Sequence, residues 1–181
     1  MIRLSICIAT LNRASFIGET LESILAQMTD EVELVVVDGA STDGTEEIVS
    51  RLFYERPGCL YKRLQQKGGV DQDYCHAVDL AQGELCWLMT DDDVVKPGAI
   101  AAILERLVPR RDLLVLNGEW ASADLSQILI SGKISIEADE AFSPAEQGRL
   151  LTICGTILSF IGSVVIRRSV WNERDRSTFF G

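Results

Sequence analysis

Apolar residues in this chain fall into short unbroken runs separated by stretches of helical spacing, and the two alternate. Leu4 to Thr10 and Val32 to Val37 are nearly continuous apolar runs rich in β-branched residues. They are too uniformly apolar for strands with one wet face and suit parallel strands covered on both faces. Between them Phe16, Ile17, Leu21, Ile24 and Leu25 keep helical spacing, which predicts a helix over Arg13 to Met28. The same logic predicts helices over Thr45 to Phe53 and Asp71 to Ala81, and strands over Cys59 to Leu64 and Leu85 to Met89. Strands alternating with helices predict an α/β fold, a mostly parallel sheet flanked by helices and joined by right-handed crossovers.

Pro97 to Leu107 continues as a helix with proline in its first turn, and Leu113 to Leu116 supplies another strand. After Asn117 the pattern weakens. Ser126 to Ile136 reads as one or two strands with a turn at Ser131-Gly132-Lys133. Ser143 to Leu151 reads as a helix capped by Ser143, with Pro144 first and Glu146 third. Leu150 to Ile166 carries no charge and precedes Arg167 and Arg168, a pattern resembling a short membrane span with a positive flank. It falls short of the roughly 20 apolar residues a span needs and is broken by small and polar residues. It predicts a buried helix followed by a strand.

Composition narrows the class. With 181 residues, 47% of them hydrophobic, the chain can bury one substantial core, and a single domain is expected. Seventeen basic against 27 acidic residues give a net charge of -10, which argues against nucleic acid as a partner because that affinity rests on cationic neutralisation. An anionic substrate would need a metal or a local basic patch. The five cysteines are odd in number and scattered, without a Cys-x-x-Cys pair, so they read as reduced thiols of a cytosolic protein. Cys7 and Cys86 sit in apolar strands and read as core residues. Strand pattern begins at once, leaving no room for a signal peptide.

Candidate chemistry sits at strand ends. Trp87-Leu88-Met89-Thr90 runs directly into Asp91, Asp92 and Asp93. A parallel strand delivers such carboxylates to the edge where open α/β sheets bind ligands, and clustered carboxylates call for a cation. The alternative is an acidic turn leading into the helix after Pro97. Asp38 leaves the second strand on the same edge and is followed by the small, polar loop Gly39 to Gly44. Within it Asp43 and Thr45 read as turn and cap residues. Asp71, Gln72 and Asp73 suit either a ligand or the start of their helix. His76, the single histidine, reads as a surface or packing residue and not as a base.

Four separated blocks then carry a family resemblance. Ser5 to Arg13, Thr20 to Gln27, the Asp38 to Thr45 loop, and Ala81-Gln82-Gly83-Glu84 leading to Asp91-Asp92-Asp93 resemble family 2 glycosyltransferases of the GT-A fold. Gly69 to Tyr74 and Cys86 to Asp93 look most like the abequosyltransferase-type enzymes of bacterial O-antigen synthesis. The resemblance implies transfer of a sugar from a nucleoside-diphosphate sugar to a glycan or lipid-linked acceptor, metal-dependent and inverting, in surface polysaccharide assembly. It implies that Thr10 and Arg13 line the nucleotide pocket with Ala40 and Gly69, that Asp38 contacts the base, and that Asp91 and Asp92 belong to the nucleotide site. Asp93 would coordinate a divalent ion, Mn or Mg, as Lewis acid.

Leu11 stands where the family often has an aromatic residue, and Asp73-Tyr74-Cys75 where it often has Ala-x-Asn. The general base has no clear position. Asp124, Glu137, Asp139, Glu140, Glu173 and Asp175 qualify by location alone, Asp175 being carried forward as the candidate, and the base falls beyond Gly181 if the chain is a truncated donor-binding part. On this reading residues 1–117 bind the donor and 118–181 begin the acceptor side. Arg167, Arg168, Arg174 and Arg176 form a basic cluster in the sequence, which suits a lipid pyrophosphate, the inner face of a membrane, or a solvated surface. The expected location is cytoplasmic. A non-catalytic nucleotide-sugar binding module is the competing reading.

Overall fold

In the computed structural model, which describes residues 1–107, 111–122, 124–136 and 138–175, the apolar runs become the centre of a six-stranded sheet. The elements in order are β1 (Leu4–Thr10), α1 (Ile17–Leu25), β2 (Val32–Asp38), α2 (Thr45–Phe53), β3 (Cys59–Arg63), α3 (Val70–Leu80), β4 (Leu85–Met89) and α4 (Ala99–Arg106). There follow β5 (Leu113–Val115), β6 (Trp120–Ala121), β7 (Ile128–Ile130), α5 (Gln147–Cys154), β8 (Val164–Arg167) and α6 (Arg168–Glu173). The sheet order is β3-β2-β1-β4-β8-β5, and β6 pairs with β7 in a separate ribbon. The α/β expectation holds.

Side-chain alternation along the central strands builds two cores. Leu4, Ile6 and Ile8 of β1, Leu34 and Val36 of β2, and Leu85, Trp87 and Met89 of β4 meet Ile17, Leu21 and Ile24 of α1, Val49 of α2 and Ile100, Ile103 and Leu104 of α4. Cys7, Val35, Val37, Cys86 and Leu88 point the other way and meet Tyr74, Ala77 and Val78 of α3, with Trp171 of α6 packed alongside. Apolar contact on both faces is why these strands read as unbroken runs. Cys7 and Cys86 are core residues, as expected, and none of the five cysteines, all of them among the described residues, forms a disulfide.

β1, β2, β3 and β4 are parallel, whereas β8 is antiparallel to both β4 and β5. The chain moves outward from β1 through β2 to β3, then returns to place β4 on the other side of β1. Thus the C-terminal ends of β1 and β4 flank a topological switch point, where open α/β sheets form a crevice. β8 starts beside the C-terminal end of β4, with Val164 opposite Leu88, and ends with Arg167 opposite Leu85.

The expected buried helix and strand within Leu150 to Ile166 are realised differently. α5 is largely exposed, with Cys154 its buried residue, and two single 3-10 turns at Ile157–Ser159 and Ile161–Ser163 lead into β8. Among the described residues no helix is long and apolar enough to cross a membrane.

Candidate functional site

Strand register sets the frame of the site. Thr10 is paired with Asp38, and Ile8 with Met89, so Asp91 stands two residues beyond the partner of Ile8 on the same edge. Asp38 and Thr10, which end β2 and β1, and Asp91, just past β4, therefore stand in one row across three adjacent strands. The loop after β1 is bound to the loop after β2: the Asn12 N–H donates to Ser41 Oγ at 2.8 Å, the Thr42 N–H to Asn12 Oδ1 at 2.8 Å, and the Arg13 N–H to Thr45 Oγ1 at 2.9 Å. Asp43 accepts from the N–H groups of Ala14 and Thr45, at 3.1 and 3.0 Å, and from the Thr45 hydroxyl. It fastens the two loops together, the turn role the sequence suggests.

Each carboxylate has its own environment. Asp38 is 0% exposed, accepting from the Ser41 N–H at Oδ1 and the Tyr61 hydroxyl at Oδ2, both at 2.7 Å. Burial and this bond to Asp38 push the Tyr61 phenol well above its ordinary pKa. Direct contact between Asp38 and a base requires the groups around it to move. Asp91 is 9% exposed and lies 3.3 Å from the Arg13 Nε. Burial raises its pKa, opposed by the Thr10 hydroxyl and the Arg13 guanidinium. Asp92 and Asp93 are exposed, and the Thr90 hydroxyl donates to Asp93 Oδ2. The Tyr74 hydroxyl donates to the Met89 carbonyl at 2.8 Å, supporting the strand end from below.

Asp73 is neither a helix cap nor solvated. It is 4% exposed, and its Oδ1 has no hydrogen-bond partner. Its Oδ2 lies so close to Gly39 that a Cβ there would stand 2.7 Å away. Any larger residue at position 39 would push the carboxylate out. Burial raises the Asp73 pKa, and Asp38 adds to the shift. The neighbouring Ala40 has φ +71°, a left-handed conformation costing a residue with a Cβ roughly 1 kcal/mol. Gly69, with φ +109°, sits at the start of α3 over open space. His76 is exposed, as expected.

The basic cluster does not assemble at this edge. Arg167 lies at the opposite end of β4, where it pairs with Glu84 and, at 2.9 Å, with Asp112, and Arg168 donates to the Gly83 carbonyl at 2.9 Å. Arg174 stacks 3.7 Å over the Trp171 ring. Arg176 lies outside the described residues. Among the base candidates, Asp139 is engaged by Arg106 at 2.6 Å and Glu140 by Arg149 at 2.7 Å. Asp124 accepts from Ser122 and Ser126, which hold its pKa at about 2. Glu173 closes α6 and Asp175 follows it, and Glu137 lies outside the described residues.

Among the described residues no three His, Cys, Asp or Glu side chains converge on one point. Those residues form no all-protein cage, so a hard divalent cation here would need phosphate oxygens and water beside one or two carboxylates. Asp93, exposed and an oxygen donor, meets that requirement. Residues that sequence reasoning missed are Ser41 and Tyr61, which surround Asp38, and Lys133, which reads in sequence as part of a turn. The contacts of Tyr61 and Lys133 join distant segments and leave no local signal, whereas Ser41 lies three residues after Asp38 in the small, polar loop.

Comparison with known proteins agrees with this architecture. The family described as Glycosyl transferase family 2 matches residues 5–173. Abequosyltransferase RfbV of Salmonella typhimurium is 27% identical over 183 aligned positions, covering 95% of this chain and 55% of that protein. The crystal structure of S. aureus TarS 1–349 superposes with a TM-score of 0.69 at 22% identity, covering 95% of this chain and 49% of that one, and TarS 1–349 has also been solved with UDP-GlcNAc. Mannosyltransferase PcManGT of Pyrobaculum calidifontis, solved with GDP-Man and Mn2+, gives a TM-score of 0.57 at 28% identity over 62% of this chain and 34% of its own. The fold is GT-A. The chain spans about half the length of the first of these relatives.

Proposed function

The chain belongs to glycosyl transferase family 2, and we propose that it contributes the donor site of an enzyme that moves a sugar from a nucleoside-diphosphate sugar to a glycan or lipid-linked acceptor. Assembly of bacterial surface polysaccharide is the setting that the similarity to an abequosyltransferase supports. The observation that carries the reading is the row of Asp38, Thr10 and Asp91 across three adjacent parallel strands at the switch point, with Asp93 exposed beside it.

In this reading Thr10, Arg13, Ala40 and Gly69 line the nucleotide pocket, and Asp38 takes the base edge once the Tyr61 hydroxyl swings away from its Oδ2. Asp91, already paired with Arg13, faces the ribose, and Asp92 lies alongside. Asp93 holds the divalent ion, which when bound stabilises the negative charge on the departing diphosphate. Mn2+ or Mg2+ satisfies the oxygen donor set, and a mannosyltransferase of similar fold has been solved with Mn2+. The chain's own part is to hold the diphosphate in register and to keep the pocket floor dry. Transfer with inversion needs a carboxylate on the acceptor side to deprotonate the acceptor hydroxyl; residues 118–181 begin that side, and Asp175 is the candidate within them.

The test is calorimetric titration with UDP, CDP, dTDP and GDP, with and without Mn2+. The expected result is metal-dependent binding of one of the four, lost in Asp93→Asn while the melting temperature stays unchanged, because an exposed carboxylate contributes little to stability. Normal metal-dependent binding by Asp93→Asn would remove Asp93 from the metal site. Absence of binding to all four nucleotides would remove the donor-site reading.

A further inference from the structure

Beyond the strand-end carboxylates, the same edge carries a cation of unusual construction. The Lys133 ammonium lies 3.5 Å from the centroid of the Trp120 ring and 3.4 Å from that of Phe160, and the two rings meet edge to face at 5.9 Å. The backbone beneath it is fixed by Asn117, whose Oδ1 accepts the N–H groups of Lys133 at 2.8 Å and Ile134 at 3.0 Å. Asn117 itself follows β5, at the carboxylate edge of the sheet.

The clamp is joined to Asp93 through the segment that carries Phe160. Two residues beyond that ring, Gly162 packs against Asp93 so closely that a Cβ there would be 3.2 Å from Oδ2, and the Trp87 Nε1–H donates to the Gly162 carbonyl at 2.7 Å. One short segment, locked to β4, therefore aims a lysine from one end and touches the exposed carboxylate with the other. Lys133 and Asp93 thus meet the same three-residue stretch, Phe160 to Gly162. Aromatic faces orient an ammonium without neutralising it. With an N–H turned to each ring, the remaining N–H is left for an anion, and a phosphate is the anion that the neighbouring site would present.

We propose that Lys133, aimed by Trp120 and Phe160, binds the terminal phosphate of the donor's diphosphate opposite the Asp93 side. Its charge would stabilise that phosphate as the leaving group departs, beside any divalent ion that Asp93 would hold. No bond to Lys133 forms or breaks: the acceptor oxygen bonds to the sugar C1 and yields its proton to the acceptor-side base, the C1–O bond to phosphate breaks with its electron pair staying on the diphosphate, and the ammonium keeps its own proton. The proposal rests on the donor-site reading above.

The experiment titrates the chain and its Lys133→Gln and Lys133→Arg variants with UDP, CDP, dTDP and GDP and with the four corresponding monophosphates, all with Mn2+ present. Lys133→Gln is expected to weaken the preferred diphosphate about tenfold, in keeping with loss of one charge-assisted contact, and to leave the monophosphate unchanged. Lys133→Arg recovers part of the loss. Equal losses on both nucleotides, or none on either, would overturn the assignment while leaving the donor site standing. If the unsubstituted chain binds none of the eight, both readings fall together. A Trp120→Leu variant with intact folding serves as a second readout: it must show the same selective loss, since the lysine is no longer aimed.

Discussion

At the scale of single residues the site is a set of carboxylates whose surroundings make them different acids. Asp73 is buried, its Oδ1 lacks a partner, and its pKa is raised first by burial. The folded state thus holds this proton more tightly than the unfolded chain, so the ionised form costs stability once pH rises above the ordinary carboxylate range. That cost is complete above the folded pKa and absent below the unfolded one. Asp73→Asn is expected to raise stability at pH 7 by on the order of 1 kcal/mol, the gain shrinking as pH is lowered towards 4. Urea unfolding at the two pH values tests it, and equal destabilisation at both would mean the carboxylate is satisfied after all. Asp38 is the opposite case, with both oxygens engaged. Asp38→Ala leaves the Ser41 N–H and the Tyr61 hydroxyl without their acceptor and is expected to cost about 2 kcal/mol. Asp91 to Asp93 and Asp38 were legible in the sequence because strand ends announce themselves. The orphaned state of Asp73 and the clamp on Lys133 were not, since each depends on segments far apart in the chain.

Among the elements, legibility follows burial. β1, β2 and β4 were readable almost to the residue because both faces are covered, which makes nearly every position apolar. α1 begins at Ile17 and not at Arg13 because the backbone of Asn12 and Arg13 is spent on docking to Ser41 and Thr45. The antiparallel direction of β8 could not be read: an apolar run carries no direction, and the segment between β5 and β8 forms a ribbon and α5 where a simple crossover helix would have given a parallel strand. β6, two residues long, is too short to have a period. How elements are tied together is also a matter of buried polar groups. Glu33 on β2, 6% exposed, accepts from the Ser5 hydroxyl of β1 and from the N–H groups of Gln82 and Gly83 ahead of β4. It joins three segments of the sheet. Glu33→Ala is expected to destabilise by about 3 kcal/mol, since three donors lose a shared acceptor. A lower urea midpoint with an unchanged denaturant slope is the signature, and a shift worth less than about 1 kcal/mol would mean water replaces the carboxylate.

Taken whole, the molecule combines a net charge of -10 with an apolar ribbon on its surface. Ile128, Leu129 and Ile130 of β7 are 60%, 62% and 44% exposed, and Trp120 and Leu125 are exposed nearby. Among the described residues β7 pairs with β6 and with no third strand, which leaves one of its edges open there. An exposed apolar strand with an open edge is a template for pairing with another chain. Like charge on every copy opposes that approach, and its reach is set by ionic strength. The balance predicts that the purified chain associates with itself more strongly as salt is added, the reverse of an association held by ion pairs. Leu129→Lys places a charge within the ribbon, far from the cores described above, and is expected to suppress association at all salt concentrations while leaving the melting temperature nearly unchanged. Sedimentation velocity at low and high salt separates the cases. Association that weakens with salt would assign it to charged surfaces elsewhere, and association that survives Leu129→Lys would clear the ribbon.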